Sequence, residues 1–396
     1  MFNQDFQIAR LPAVQFAAGA IDKLPSLLLP YTGNILLVTG KAAFTDSPRW
    51  QTLTQALNAA GRTWHHVRIS DEPSPEQIDA LVKEHHGHQI GVIAAIGGGS
   101  VLDAAKAIAG LLPSGDSVLD YLEGVGKGLT YQGPALPWIA VPTTAGTGSE
   151  ATKNAVLSSR GEGGYKKSFR DEQLVAQVAL IDPDLLDTCS QAQLAANGMD
   201  AFTQLLESWV SLGASPFTDA LSSHAMAIFR DGFWPAYNND ENAGEGRAKM
   251  AYASMISGIT LAQAGLGSVH GLAAPLGAFF PAPHGEVCGT LLAAATKANI
   301  EIMRRRDNQN PALVKYAEAG VLLSNRYVSS AEEAQDTLIE VLEDWQEKLQ
   351  LPRLSAYGMT EADIDRVVKN ARGNSMKTNP VQLTNGELAA LIQSRL

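Results

Sequence analysis

Gly91-Val92-Ile93-Ala94-Ala95-Ile96-Gly97-Gly98-Gly99-Ser100-Val101-Leu102-Asp103-Ala104-Ala105-Lys106 is the stretch that decides the fold. The apolar run up to Ile96 reads as a buried strand, and the segment opened by Val101 reads as a helix. A glycine turn joins them, which is the start of a βαβ unit with free backbone N–H groups at the head of its helix. Those groups and the helix dipole attract an anion, and glycine lets a phosphate come close to the backbone. Gly97, Gly98, Gly99 and Ser100 are therefore the expected seat of a dinucleotide diphosphate. The spacing is not G-x-G-x-x-G, and a tight turn that needs only glycine's flexibility would explain the same run.

Working outward, apolar runs at 35–39, 64–69 and 138–141 read as further strands, and 49–60, 75–84 and 101–111 as helices between them. Ser74-Pro75 is an N-cap followed by proline at the first helical position. Residues 155–159 and 167–169 suggest a hairpin around Gly161-Glu162-Gly163-Gly164, and the run 175–181 ends in the turn Asp182-Pro183-Asp184. From about Ser190 onward helical periodicity takes over, at 196–212, 218–236, 246–264, 311–323, 331–349 and 361–371. The expected organisation is an α/β domain with a Rossmann-like parallel sheet over residues 1–188 and an all-α domain over 189–396.

The 396 residues are 45% hydrophobic and 18% charged, the balance of a folded enzyme and not of a disordered chain. A formal net charge of −11 opposes unspecific attraction to nucleic acid or to anionic membranes, so neither is an expected partner. Cys189 and Cys288 are too few for a disulfide framework and fit a reducing compartment. The start, Met1-Phe2-Asn3-Gln4-Asp5-Phe6, lacks the basic residues and apolar run of a secretory signal, and no apolar stretch reaches membrane-spanning length. A soluble cytoplasmic protein is expected.

A second small-residue loop, Pro142-Thr143-Thr144-Ala145-Gly146-Thr147-Gly148-Ser149-Glu150, follows the strand that ends at Val141. At a strand end of an open α/β sheet its hydroxyls and glycines offer a polar surface that a cofactor can approach closely. Farther along stand Gly198-Met199-Asp200-Ala201-Phe202-Thr203-Gln204, Val269-His270 and Pro283-His284-Gly285. Asp200 and Gln204, at i and i+4, leave the same face of one helix. With His270 and His284 they make a possible ligand set for a borderline divalent ion, Fe(II) or Zn(II); a helix cap or buried polar contacts would explain the same residues.

In this order, Gly97-Gly98-Gly99-Ser100-x-x-Asp103-x-x-Lys106, the 142–150 loop, Gly198-Met199-Asp200-Ala201, Val269-His270-Gly271-x-x-x-Pro275-Leu276-Gly277, Pro283-His284-Gly285 and Asn379-Pro380 span nearly the whole chain. Together they resemble the iron-containing (group III) alcohol dehydrogenase family. The resemblance implies a dehydroquinate synthase-like architecture: an NAD(P)-binding α/β domain, an all-helical domain and a metal in the cleft between them, in a homodimer. It implies hydride transfer between nicotinamide and a small primary alcohol or aldehyde, with Asp200, His270 and His284 as catalytic residues. The metal, Fe(II) ahead of Zn(II), would sit on Asp200, Gln204, His270 and His284. The cofactor, NADP or NAD, would meet Gly97, Gly98, Gly99, Ser100 and Asp103, then Thr143, Thr144 and Thr147 on the nicotinamide side. Asn154 and Lys166, one step from Lys167, would reach its ribose or phosphates.

The chain departs from the family in three places. Position 204 normally carries histidine, and the amide of Gln204 is a weaker, neutral ligand, so affinity falls or the metal differs. Ala274 stands where many members place a histidine near the substrate, which removes any proton relay there. Gly40 stands at the strand end where NAD-preferring members often carry aspartate; without that carboxylate, and with Lys41 adjacent, NADP is acceptable, unless Gly40 is only a turn. Two alternatives remain: a metal-independent reductase resembling maleylacetate reductase, and a lyase or cyclase resembling the dehydroquinate synthase relatives. His85, His86 and His88 read as surface residues at a helix end, while His65, His66 and His224 carry no assignment. Cys288 reads as a small core residue, and Trp209, Phe279 and Phe280 as core or apolar pocket.

Overall fold

The structure is a computed structural model that describes residues 5–161 and 163–396. Eight strands are formed among the described residues: β1 Ala13–Phe16, β2 Asn34–Thr39, β3 Trp64–Arg68, β4 Ile90–Gly97, β5 Trp138–Pro142, β6 Asn154–Ser159, β7 Tyr165–Arg170 and β8 Val178–Ile181. Six make one sheet in the order β1-β8-β5-β4-β2-β3, and every pairing in it is parallel. Parallel sheets are covered on both faces, which is why Val92 to Ile96 and Ile35 to Val38 are unbroken apolar runs without exposure. The intervening helices are Pro48–Ala59, Pro75–His85 and Gly99–Leu111. Ser74 caps the second by accepting from Gln77 N, as the Ser-Pro pair predicted.

Two features differ from the sequence reading. β1, paired Ala13 to Val178 through Phe16 to Ile181, went unseen because four residues of an exposed edge strand show no apolar run. The run 175–181 is strand only from Val178; beyond its end Asp182 accepts from Gly19 N, Ile21 N and Asp184 N, which ties the turn into the sheet's flank. β6 and β7 pair in a separate two-stranded sheet, as expected of the strands of the hairpin; Glu162 of the turn expected between them lies outside the described residues.

The chain divides into two compact units, one built on residues 9–159 and 166–190, the other on 191–396. The second is helical: Gln191–Val210, Pro216–Asn238, Ala243–Ala264, Ser268–Phe279, His284–Arg306, Pro311–Ser324 and Ala331–Lys348 are its principal helices. Its core is lined by Phe202, Phe229, Phe233 and Trp345, whose rings meet at centroid distances of 5.0–6.3 Å. No helix of the described residues is long and apolar enough to cross a membrane.

Candidate active site

Two groups of residues, one in each unit, are the candidates for chemistry. In the α/β unit the strand order reverses between β2 and β4, since β3 lies on one side of β2 and β4 on the other. Open α/β sheets bind dinucleotides outside the strand ends at such a point. β4 ends there in Gly97, paired with Pro142 of β5, and Thr143 N donates to Gly97 O at 3.0 Å, so the two small-residue loops leave adjacent strand ends. They also pack on each other. A Cβ on Gly98 would stand 3.1 Å from Thr144 Oγ1, and one on Gly99 would stand 2.7 Å from Thr147 Cγ2. The Gly99–Leu111 helix has no side-chain cap at Gly98, which leaves its N-terminal N–H groups suited to an anion. Gly40, at the end of β2, has a φ that any residue adopts, and a Cβ there would meet only Val101 Cγ2 at 3.7 Å. Neither a turn nor crowding therefore demands glycine at position 40.

Lys106 fixes the second loop. Its ammonium is wholly buried and has five oxygens within hydrogen-bond distance for its three N–H groups: Ser149 O, Ser149 Oγ, Thr152 Oγ1, Asn154 O and, at 3.3 Å, Asp103 Oδ1. Burial holds its pKa below the usual lysine range, against the pull of Asp103. Asp103, expected at the cofactor, also accepts from Ser149 Oγ at 2.6 Å, so its carboxylate faces this strap. Lys166, expected at the ribose or phosphates, is ion-paired with Glu72 at 2.8 Å. Burial pushes the neighbouring Glu150 carboxyl up to about 7, and Lys106 only partly offsets it.

In the helical unit, Asp200, Gln204 and Glu207 lie on one buried face of Gln191–Val210. His270 is near the start of Ser268–Phe279 and His284 is the first residue of His284–Arg306. Asp200 Oδ1 stands 3.3 Å from His270 Nε2 and 3.7 Å from His284 Nε2. Cys288, one turn after His284, places Sγ 3.8 Å from both Nε2 atoms. Asp200, His270, His284 and Cys288 each bring one ligand atom within 4.8 Å of the others. Close helix packing produces this convergence: a Cβ on Gly285 would stand 2.2 Å from Ala196 O, and one on Gly289 2.9 Å from Met199 Cβ. Glycine at both positions lets the helix of His284 and Cys288 settle against the helix of Asp200.

Glu207, which no sequence argument singled out, organises this group. It accepts from Val269 N at 2.7 Å and from His270 Nδ1 at 2.7 Å, capping a helix and orienting the His270 ring so that Nε2 faces Asp200. Asn379 completes the cap by accepting from Ser268 N at 3.0 Å, which gives the Asn379-Pro380 motif a structural role. Burial alone would raise the Asp200 carboxyl, but His284, His270 and Gln204 outweigh it and hold the pKa below the ordinary value. Burial pushes the Cys288 thiol up to about 11. A carboxylate and two imidazoles around one point fit a borderline divalent ion.

Gln204, expected among the ligands, lies beside Asp200 on the same buried helix face. Its Nε2 stands 3.2 Å from Asp200 Oδ1 and its Oε1 2.8 Å from Ser257 Oγ, a hydroxyl that also has Ser254 O at 2.8 Å, so in this orientation the amide presents an N–H to the carboxylate. Of the helix-end histidines His86 is exposed as expected, whereas His85 is buried, and His65, His85 and His88 gather in a second cluster within the α/β unit. Trp209 donates to Lys315 O, and the Arg366 guanidinium lies 4.2 Å from the Phe279 ring, so both aromatics are engaged in packing.

Comparison with known proteins gives a consistent result along the chain. The family description "iron-containing alcohol dehydrogenase" matches residues 12–183, and that of the C-terminal part of the Fe-containing alcohol dehydrogenase family matches residues 194–396. Alcohol dehydrogenase 4 of Saccharomyces cerevisiae is 31% identical over 366 residues, 90% of this chain and 90% of that protein. Lactaldehyde reductase of Escherichia coli K12 is 32% identical over 324 residues, 81% of this chain and 80% of that protein. The crystal structure of sulfoacetaldehyde reductase from Bifidobacterium kashiwanohense, in complex with NAD+, superposes with a TM-score of 0.84 at 26% identity and covers 99% of each chain.

Proposed function

Because the chain belongs to the iron-containing alcohol dehydrogenase family, we propose that it catalyses reversible, metal-dependent hydride transfer between NAD(P) and a small primary alcohol or its aldehyde. The observation that carries this reading is the convergence of Asp200, His270 and His284 on one point, with Glu207 fixing the His270 ring. Relatives named for alcohols and for aldehydes support the reaction class, and a relative in complex with NAD+ supports the cofactor.

When bound, a divalent ion held by Asp200, His270 and His284 supplies a Lewis acid for a carbonyl or alkoxide oxygen. When bound, NAD(P) supplies or accepts the hydride. The rest is the work of the chain. Asp200 brings the negative charge that offsets a dication, and Glu207 holds the Nδ1 proton of His270 so that Nε2 stays a lone-pair donor. Gly97, Gly98, Gly99 and Ser100 would take the diphosphate at the uncapped helix start, with Thr143, Thr144 and Thr147 bounding the same crevice and Asn154 and Lys166 beyond it. Ala274 offers no proton, so bound water, a cofactor ribose hydroxyl or another side chain has to deliver it.

The test is reduction of a panel of small aldehydes by NADH and NADPH, using protein prepared without oxygen, stripped by chelator and reloaded with Fe(II) or Zn(II). Activity that disappears on stripping and returns with metal is the expected result. Activity indifferent to metal would replace this reading with a metal-independent reductase, and no activity at all would move the chain toward lyase chemistry.

A further inference from the structure

Three side chains of the helical unit leave one place open around a metal, and two neighbours compete for it. We propose that Cys288, not Gln204, is the fourth protein ligand, that Gln204 positions Asp200, and that the resulting carboxylate, two imidazoles and thiolate select Zn(II) over Fe(II). This inference rests on the metal-dependent reading above.

Distance is the first argument. Around a tetrahedral ion with bonds of about 2.0–2.3 Å, neighbouring donor atoms stand about 3.3–3.6 Å apart. Here Asp200 Oδ1 is 3.3 and 3.7 Å from the two Nε2 atoms, and Cys288 Sγ is 3.8 Å from each of them. These four separations are within a few tenths of an ångström of coordination size, and all four atoms lie within 4.8 Å of one another. The second argument is chemical orientation. A buried cysteine is ordinarily a small core residue, its sulfur among methyl groups; the Cys288 sulfur instead faces two imidazole nitrogens. Gln204, by contrast, lies with its Nε2 3.2 Å from Asp200 Oδ1 and its Oε1 on the side of Ser257, 2.8 Å from Oγ. The third is the element that carries Cys288: it follows His284 by one helical turn, so the packing at Gly285 and Gly289 that delivers the imidazole delivers the sulfur with it.

The ligation step balances simply. The Cys288 S–H bond breaks, its proton passes to solvent, a sulfur–metal bond forms, and nothing is oxidised or reduced. Thiolate is a soft donor and favours zinc over ferrous iron, which also stands lower in the general order of affinities.

The experiment uses the full-length protein, stripped by chelator, kept anaerobic and titrated with Co(II) as a spectroscopic substitute for zinc. Wild type should bind one Co(II) with an intense near-ultraviolet sulfur-to-cobalt charge-transfer band. Cys288→Ser should lose that band and bind metal at least tenfold more weakly, while Gln204→Ala should keep the band. Zinc-edge X-ray absorption on wild type needs no variant, and should show one sulfur at about 2.3 Å beside nitrogen and oxygen. Stoichiometric Co(II) without the charge-transfer band, or a zinc shell without sulfur, overturns the assignment of Cys288 and leaves the metal-dependent reading standing. Metal lost from Gln204→Ala but held by Cys288→Ser overturns it in favour of an amide turned over to present Oε1. A wild type that binds no metal overturns both readings.

Discussion

Glu207 serves two purposes with one carboxylate: one oxygen caps the Ser268–Phe279 helix at Val269 N and the other holds the His270 ring. Glu207→Gln keeps an acceptor but loses the charge, and should weaken metal binding about 10–100-fold, the usual cost of removing an outer partner of a ligand. Competition against a chromophoric chelator measures it; unchanged affinity would separate Glu207 from the metal. Glu207 was legible in principle, since it falls at i+7 from Asp200 and i+3 from Gln204, on the stripe that drew attention to both. Its partners at 269 and 270 were not, because that pairing exists only in the tertiary fold. Gly40 gives a second residue-level expectation. The site has room for a side chain and an ordinary φ, so Gly40→Asp should fold normally. It should shift the ratio of kcat/KM for NADH over NADPH upward by at least tenfold, because a carboxylate there bonds a ribose hydroxyl and repels a 2′-phosphate. A ratio that does not move would detach residue 40 from cofactor choice.

Among the elements, the His284–Arg306 helix depends most on a close approach. Gly285→Ala sets a Cβ against the backbone oxygen of Ala196, which cannot swing aside. We expect a loss of about 1–3 kcal/mol, the range for overpacking, read by denaturant unfolding, together with weaker metal binding as His284 is displaced. Equal stability and affinity would show that the helix adjusts freely. This helix also marks how far elements can be read from sequence. β2, β4 and β5 stood out because burial on both faces leaves unbroken apolar runs. Ser268–Phe279 did not, because it is buried on nearly every side and carries an internal Pro275, so it has no polar face to give a period. The motif residues His270 and His284 could be picked out, but the contact between Gln204 and Ser257 could not, since the partner lies far along the chain.

For the whole molecule, Glu150 makes stability depend on pH. Its carboxyl is raised from 4.5 to about 7 by burial. Between those values the folded protein holds a proton that the unfolded chain has released, so stability falls as pH rises through that window, by at most about 3 kcal/mol, and the penalty is complete above it. Glu150→Gln should therefore match wild type near pH 5 and exceed it at pH 8 in urea unfolding; an equal difference at both would assign the effect to packing. The strap beside it has a further consequence. Lys106 sits among oxygens of residues 103, 149, 152 and 154 much as a potassium ion sits in a crown ether. A loop held in this way has no slow ordering step left to make when the dinucleotide arrives. Association should then be a single bimolecular phase whose observed rate climbs in proportion to cofactor concentration without levelling off.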